Sequence, residues 1–170
     1  TKQIIDKATN EANKRFEHGF RGPTVNDMYK YDMILISCIG ELVFQEFLIS
    51  KSIPYVFINN NFAGRELVVE NKLFEIRVSG YQHDISNLNF IYNVKQYEES
   101  RGKNIDYVIQ IFINGYDYRN RSFNVSDCAN GIIYGVIEFN KIGELPIFPN
   151  VTRPNYKTAL TKLTDIKSIF

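Results

Sequence analysis

The chain has 170 residues, of which 44% are hydrophobic and 23% charged, and its formal net charge is +1. This length suits one domain with a well-developed core, and the near-neutral charge argues against a strongly basic, histone-like binder. A local basic cleft remains compatible with that total. With two histidines, two cysteines and no CxxC pair, a zinc site is not expected.

Two further features bear on location and on the thiols. No apolar run approaches the roughly 20 residues of a membrane-spanning helix, and no signal-peptide pattern is visible. We therefore expect a cytoplasmic, intracellular protein with no membrane partner. Cys38 lies in an apolar run, which predicts a buried free thiol.

The N-terminal segment is predicted to form a helix of its own. Residues 1–18 are polar with sparse apolar positions and predict a short, weakly anchored helix, within an N-terminal helical extension over residues 1–25. The segment "GFRGP" at 19–23 then breaks the pattern. This first helix is therefore expected to be separate from the next one.

A longer second helix is predicted to follow. Asn26 or Asp27 caps it, it runs to about Ser52, and Pro54 ends it. Its apolar residues recur at steps of three and four, which indicates one broad buried face. These residues are Ile34, Leu35, Cys38, Ile39, Leu42, Val43 and Leu48.

After Pro54 the apolar period changes to two, which is typical of strands. "YVFI" at 55–58 predicts a short strand, and "NNNFAGR" at 59–65 predicts a turn. "ELVVE" at 66–70 and "LFEIRVS" at 73–79 predict two strands joined tightly at Asn71 and Lys72. Together they predict an antiparallel hairpin that follows a strand.

The second half predicts one more helix and two strands. "SNLNFIYNVKQYEES" favours a helix from about Ser86 to Ser100. "IDYVIQIFI" at 105–113 is nearly continuous apolar and predicts a strand covered on both faces. Residues 115–123 are predicted to be a loop and "GIIYGVIEF" at 131–139 a strand. The tail at 155–170 predicts a short amphipathic helix or an extended closing segment.

This order of elements predicts the α/β class. We expect a single domain with a mixed central β-sheet flanked by helices.

The hairpin carries the residues with chemical potential. Alternation along the strand puts Glu75 and Arg77 on one face and Ile76 on the other. An antiparallel hairpin brings Glu66 onto the same face as Glu75. Two carboxylates that close repel unless a proton or a cation lies between them, and oxygen ligands suit Mg²⁺ or Mn²⁺.

Two alternatives stay open at this point. Glu75 and Arg77 also fit a solvated strand face with cross-strand ion pairs, which is the commoner arrangement. On the second helix, Glu41 lies at the flank of the apolar stripe, but Glu46 lies closer to its centre. The periodicity therefore predicts one inward-leaning carboxylate without choosing between them.

In order along the chain, these features resemble the PD-(D/E)XK nuclease superfamily, which has the restriction-endonuclease-like fold. Members carry a helix with a "GE" near its middle, a short strand, and a hairpin with an Asp on one strand and an (E/D)-x-K on the next. The matching segments are "GELVFQEFLISKSIPYVF", "ELVVENKLFEIRVSG" and "IDYVIQIFI", and "GVIEFNKIGELP" resembles the segment after the core in several members. The resemblance covers roughly residues 30–145 and implies one restriction-endonuclease-like domain over residues 1–170.

The resemblance implies a metal-dependent endonuclease that hydrolyses DNA phosphodiester bonds with Mg²⁺ or Mn²⁺. Glu66 stands where the family has its metal-binding Asp, and Glu75 matches the acidic residue of the (E/D)-x-K pair. The carbonyl group of Ile76 would be a further ligand. Glu41 matches the helix glutamate, which binds the metal through water or holds a second metal, and Arg77 stands where the family has its lysine.

The implied partners are nucleic acid, DNA in the first place, and a second copy of the chain in a homodimer. Two other segments bear on this expectation. "KNIDY" at 103–107 and "YDYRNR" at 116–121 combine Tyr with Lys or Arg, as nucleic-acid grooves do and as ordinary surfaces also do.

Two residues depart from the family pattern. Glu66 in place of Asp lengthens the ligand by one methylene, which a flexible oxygen site tolerates. Arg77 puts a wide, planar cation where the family has a compact one. These departures leave an enzyme of weakened activity, or a catalytically inactive module that binds nucleic acid or protein. An unrelated α/β domain is the third alternative, if the hairpin residues do not converge in space.

Overall fold

Helices and strands alternate along the chain in a mixed order. The computed structural model describes residues 2–17, 27–58, 66–82, 84–117, 119–128, 130–149 and 153–170. The helices are α1 (Lys2–Glu17), α2 (Asp27–Ser50), α3 (Val94–Ser100) and α4 (Phe139–Ile142). The strands are β1 (Tyr55–Ile58), β2 (Glu66–Val69), β3 (Lys72–Tyr81), β4 (Asn89–Asn93), β5 (Tyr107–Asn114), β6 (Tyr116–Asp117), β7 (Ser122–Phe123), β8 (Gly131–Glu138), β9 (Ile147–Phe148) and β10 (Asn155–Ala159).

Three sequence predictions fall where the structure gives no description. The break at 19–23, the cap at Asn26 and the turn at 59–65 lie outside the described residues.

A five-stranded mixed sheet forms the centre of the fold, in the order β1-β2-β3-β5-β8. β3 and β5 run parallel, and the other neighbours run antiparallel. The connection between the two parallel strands contains β4 and α3, because a parallel pair needs a long crossover. β4, β10 and β9 form a separate three-stranded sheet.

The central sheet is covered on both faces. α1 and α2 pack over one face, where Ile109, Ile111 and Ile113 of β5 join their core. α3, α4 and the small sheet cover the other face, where Val108 and Phe112 point. The predicted mixed α/β domain, with a central sheet flanked by helices, is therefore confirmed, as is the predicted two-sided burial of β5.

The hairpin of β2 and β3 has the predicted antiparallel form, but its turn lies one residue earlier than the predicted connection at Asn71 and Lys72. Its two-residue turn consists of Glu70 and Asn71, whose φ angles of 50° and 64° match the turn type that continues the right-handed strand twist. This turn places Glu66 directly opposite Glu75. Both carboxylates therefore project from the same face of the sheet.

Helix α2 ends at Ser50, two residues earlier than predicted. Ser52 has a φ of 56°, so the chain leaves the helical path before Pro54. Along α2, Glu41 is buried and Glu46 exposed, which decides between the two glutamates. Cys38 is buried and is not part of a disulfide, as predicted.

The stretch Tyr29–Ser50 of α2 is long and apolar enough to cross a membrane, judged by length and composition alone. This differs from the expectation that no apolar run approaches the length of a membrane-spanning helix. In this fold half of the stretch is buried, and it packs against α1 and β3.

The helix predicted from Ser86 to Ser100 is wrong over most of its length. A single 3₁₀ turn at 85–87 is followed by β4, and only α3 is helical. Phe90 and Tyr92 of β4 are buried and Ile91 is exposed, a period of two. The partner that stabilises this strand is β10, about sixty residues further along the chain, and local helix propensity does not register it.

Two other segments differ from or sharpen the sequence prediction. The loop predicted at 115–123 contains a small hairpin of β6 and β7. The tail begins with an extended strand, β10, which lies between β4 and β9. The tail is therefore the extended alternative in its first part, followed by 3₁₀ turns.

The close contact of α2 with β3 predicts that Gly40 cannot be replaced by a larger residue without a loss of stability. A Cβ atom there would lie 2.6 Å from Cγ1 of Val78, too close for real side chains. We expect Gly40→Ala to lower the free energy of unfolding in urea by about 1–3 kcal/mol through overpacking. Gly102→Ala is the control, since nothing lies within 4 Å of its added Cβ. Equal stability of the two variants would contradict this packing.

Candidate functional site

A cleft of about 330 Å³ opens at the edge of β3. β2 pairs with β3 only from Lys72 to Glu75, whereas β3 continues beside β5 as far as Tyr81. The described part of the sheet therefore splits after Glu75, and side chains from both faces reach the opening. The lining residues are Arg15, Met33, Ile34, Ser37, Glu41, Glu66, Glu75, Ile76, Arg77, Val78, Gln96, Ser100 and Lys103.

All the residues proposed from the sequence line this one cleft. Glu66, Glu75 and Arg77 come from the hairpin, and Ile76 lies between the last two. Glu41 reaches the cleft from α2, on the other side of the sheet. Among the residues that the structure describes, no three His, Cys, Asp or Glu side chains form a group that could hold one metal ion.

Glu41 is bound by a cation from α1. Nη1 and Nη2 of Arg15 donate to its two carboxylate oxygens at 3.0 and 2.7 Å, and both side chains are at most 7% exposed. Burial by itself lowers the pKa of Arg15, but the hydrogen bonds and charge of Glu41 outweigh it, so the net pKa shift is upward. A bidentate pair of this kind fixes both side chains.

Glu75 belongs to a second network on the opposite side of the cleft. The hydroxyl group of Tyr92 donates to one of its oxygens at 2.7 Å, and Nη1 of Arg77 approaches the other at 3.4 Å. Arg77 also donates to Gln96 at 2.8 Å and stacks 4.4 Å above the ring of Tyr92. Burial, with the negative charge of Glu75, raises the pKa of Tyr92, so its hydroxyl remains a donor.

Glu66 is paired with a lysine from the crossover. Nζ of Lys103 donates to Oε1 of Glu66 at 3.1 Å. The side chain of Glu66 is 11% exposed and that of Lys103 is 51% exposed. Lys103 is more exposed than Arg15 or Arg77, so of the three ion pairs in the cleft this one is the most accessible to solvent from the side of its cation.

The charges of the cleft balance within its described lining. Each of three carboxylates contacts one cation, in the pairs Glu41 with Arg15, Glu75 with Arg77, and Glu66 with Lys103. The arrangement keeps two carboxylates side by side despite their repulsion, because cations lie against both.

Sequence reasoning missed the partner residues. Arg15 follows Ala8 and Ala12 on the buried face of α1, a spacing that marks it as inward-facing. Tyr92 was missed because a helix was predicted where the structure has β4, so the face on which Tyr92 lies was not recognised. Lys103 stands in "KNIDY", which was considered as a segment of a nucleic-acid groove or of an ordinary surface, and no local pattern connects it with Glu66.

Comparisons with protein-family models, with curated proteins and with solved structures found no match to this chain.

The burial of the Arg15–Glu41 pair predicts that removing one partner destabilises the fold. Arg15→Met leaves a buried carboxylate without its main cation, and we expect it to lower the free energy of unfolding by about 3–5 kcal/mol. The double variant Arg15→Met/Glu41→Met should recover most of that loss. Arg101→Met is the matched control, because Arg101 pairs with Glu98 on the surface, where about 0–1 kcal/mol is expected. Similar losses for the two single variants in urea unfolding would contradict the assignment.

Proposed function

We propose that this chain is a metal-dependent nuclease with the restriction-endonuclease-like fold, and that it hydrolyses DNA phosphodiester bonds in the cleft beside β3. The observation that carries this function is the pairing of Glu66 with Glu75, directly opposite each other where the sheet splits. The chain also has the order of helix, short strand, hairpin and buried strand that the family resemblance requires.

The two opposed carboxylates fit a magnesium ion. Mg²⁺ is commonly held by one or two carboxylates, and water and substrate phosphate complete its coordination. A group of three protein ligands is therefore not required, and the same oxygen atoms suit Mn²⁺. Glu66 and Glu75 would hold the ion. Ile76 lines the same cleft, and its backbone carbonyl group would be a further ligand. We assign Glu41 no ligand role, because a metal ion there would have to break its buried bidentate pair with Arg15.

When bound, the metal ion supplies Lewis-acid polarisation of the phosphate and a water molecule of lowered pKa. The protein side chains hold the components in position. Tyr92 and Arg77 fix the carboxylate of Glu75 through its two oxygens. The guanidinium group of Arg77 also adds positive charge to the cleft wall, where it offsets the charge of a phosphodiester.

The reaction is a hydrolysis in which atoms and charges balance. The oxygen atom of water bonds to phosphorus as the bond from phosphorus to one ester oxygen breaks. The water gives up a proton to solvent, and the leaving oxygen takes one up. The products are a phosphate monoester and an alcohol.

The carboxylate pair makes the first functional prediction. In a plasmid-nicking assay with Mg²⁺ or Mn²⁺, the wild-type protein should cut DNA, and a chelator should abolish cutting. Glu66→Gln and Glu75→Gln should each lower the rate by more than about 100-fold, since even outer-shell partners of metal ligands cost 10- to 100-fold. Glu70→Gln, at the exposed turn of the same hairpin, should leave the rate unchanged. Undiminished cutting by Glu75→Gln would refute this function.

A second function is favoured by a different observation. The three cations along the described lining already balance its three carboxylates, and the Arg15–Glu41 and Arg77–Gln96 contacts are short. Such a cleft suits a nuclease-fold module that binds nucleic acid or protein and no longer cleaves. Its cations would then serve as internal replacements for the metal ion.

Titration calorimetry distinguishes the two functions. A nuclease should give Mg²⁺ or Mn²⁺ binding heat in the wild-type protein and none in Glu66→Gln/Glu75→Gln. A non-cleaving module should give no metal heat in either protein, while DNA is retained at modest salt and released as salt rises. DNA retention without metal binding would therefore favour the function of a binding module over that of a nuclease.

A further inference from the structure

Lys103 stands apart from the other two cations of the cleft. The exposed fractions of the side chains are 7% for Arg15, 25% for Arg77 and 51% for Lys103. Arg15 is held by two hydrogen bonds to Glu41, and Arg77 is held by Gln96 and by the ring of Tyr92. Of these three cations, Lys103 is therefore the most exposed and has one hydrogen bond to the cleft carboxylates, the contact with Glu66.

The backbone of Lys103 is held in place by its neighbouring elements, so that only the side chain would move. It is the last residue of the 3₁₀ turn at 101–103, which continues directly from α3. Asn104 follows with a φ of 54°, a left-handed conformation that asparagine tolerates. The chain then enters β5, so the Cα atom is anchored between a helix and a central strand while the flexible stem reaches into the cleft from outside.

A metal ion bound by Glu66 would displace the ammonium group of Lys103. Nζ of Lys103 lies 3.1 Å from Oε1 of Glu66, at the carboxylate we propose as a metal ligand. A divalent cation bound by that carboxylate would repel the ammonium group and replace it as counter-ion. The displaced ammonium remains within the same cleft, because Lys103 lines it.

We propose that Lys103 is a catalytic residue that would donate to a non-bridging oxygen of the scissile phosphodiester when Glu66 holds a metal ion in place of its ammonium group. This role rests on the nuclease function proposed above. A compact ammonium on a flexible stem suits it, whereas the planar guanidinium of Arg77 is fixed by stacking. Lys103 thus neutralises the charge that develops on the phosphate, and Arg77 positions Glu75.

Two measurements on Lys103→Met separate this role from a structural one. By calorimetry, the variant should bind Mg²⁺ or Mn²⁺ as tightly as the wild type or up to about fivefold more tightly, because the ion competes with an ion pair of about 0–1 kcal/mol. In the nicking assay, it should lose cleavage by roughly 100- to 1,000-fold, as when one oxyanion donor is removed. Lys103→Arg should recover part of the cleavage.

Lys95→Met is the matched control. Lys95 lies on α3, pairs with the exposed Glu99 and is absent from the cleft lining, so both measurements should match the wild type. If Lys103→Met cleaves at the wild-type rate, or binds the metal more weakly, Lys103 has no catalytic role and the nuclease function stands. If the wild type neither binds metal nor cleaves, the nuclease function itself fails, and the role of Lys103 with it.

Discussion

The two-residue turn at Glu70 and Asn71 sets the register on which the cleft depends. Both residues adopt left-handed φ angles, which join β2 to β3 without a longer loop. A slip of one residue would reverse the faces of all side chains on β2. Glu66 would then leave the face of Glu75, and Leu67 would leave the core that it shares with α2. Core packing therefore enforces the same register that brings the two carboxylates together.

The packing of α2 across β3 determines what else reaches the cleft. Gly40 allows the helix to approach Val78 closely, and the next residue, Glu41, lies at the edge of this contact. At the same edge α1 crosses α2 and brings Arg15 to that carboxylate. The core of one face thus ends in an ion pair, where the cleft begins. On the opposite face, Tyr92 of the small sheet plays the equivalent part for Glu75.

The ionic contacts of the cleft differ in how easily they exchange. The Arg15–Glu41 pair is buried, and breaking it separates two charges at a place that little water reaches. In the Lys103–Glu66 pair the lysine is half exposed and the glutamate nearly buried, so solvent and other cations reach this pair from the side of the lysine. The cleft therefore combines a rigid wall with one adaptable contact, located at the carboxylates on which the proposed chemistry depends.

Local pattern was sufficient for the main strands and for the hairpin. β1, β2, β3, β5 and β8 follow from alternation or from continuous apolar runs, because each strand carries its own period of side chains. The same reasoning failed for β4. Its residues "NFIYN" follow "ISN" and precede a genuine helix, and the strand exists because β10 pairs with it. Phe90 and Tyr92 alternate as a strand should, but five residues are too few to outweigh the helical pattern next to them.

The amino-acid sequence by itself predicted that Glu75 and Arg77 share one face of a hairpin strand, since side chains alternate with a period of two, and that a tight turn can bring Glu66 to the same face. It also indicated that a carboxylate on the second helix leans inward. Only the tertiary structure decided that this carboxylate is Glu41, because α2 is buried by α1 as well as by the sheet. The tertiary structure also brought Arg15, Tyr92 and Lys103 to the three glutamates from 26, 17 and 37 residues away. Contacts over such separations depend on how the elements pack, and no local period of the chain records them.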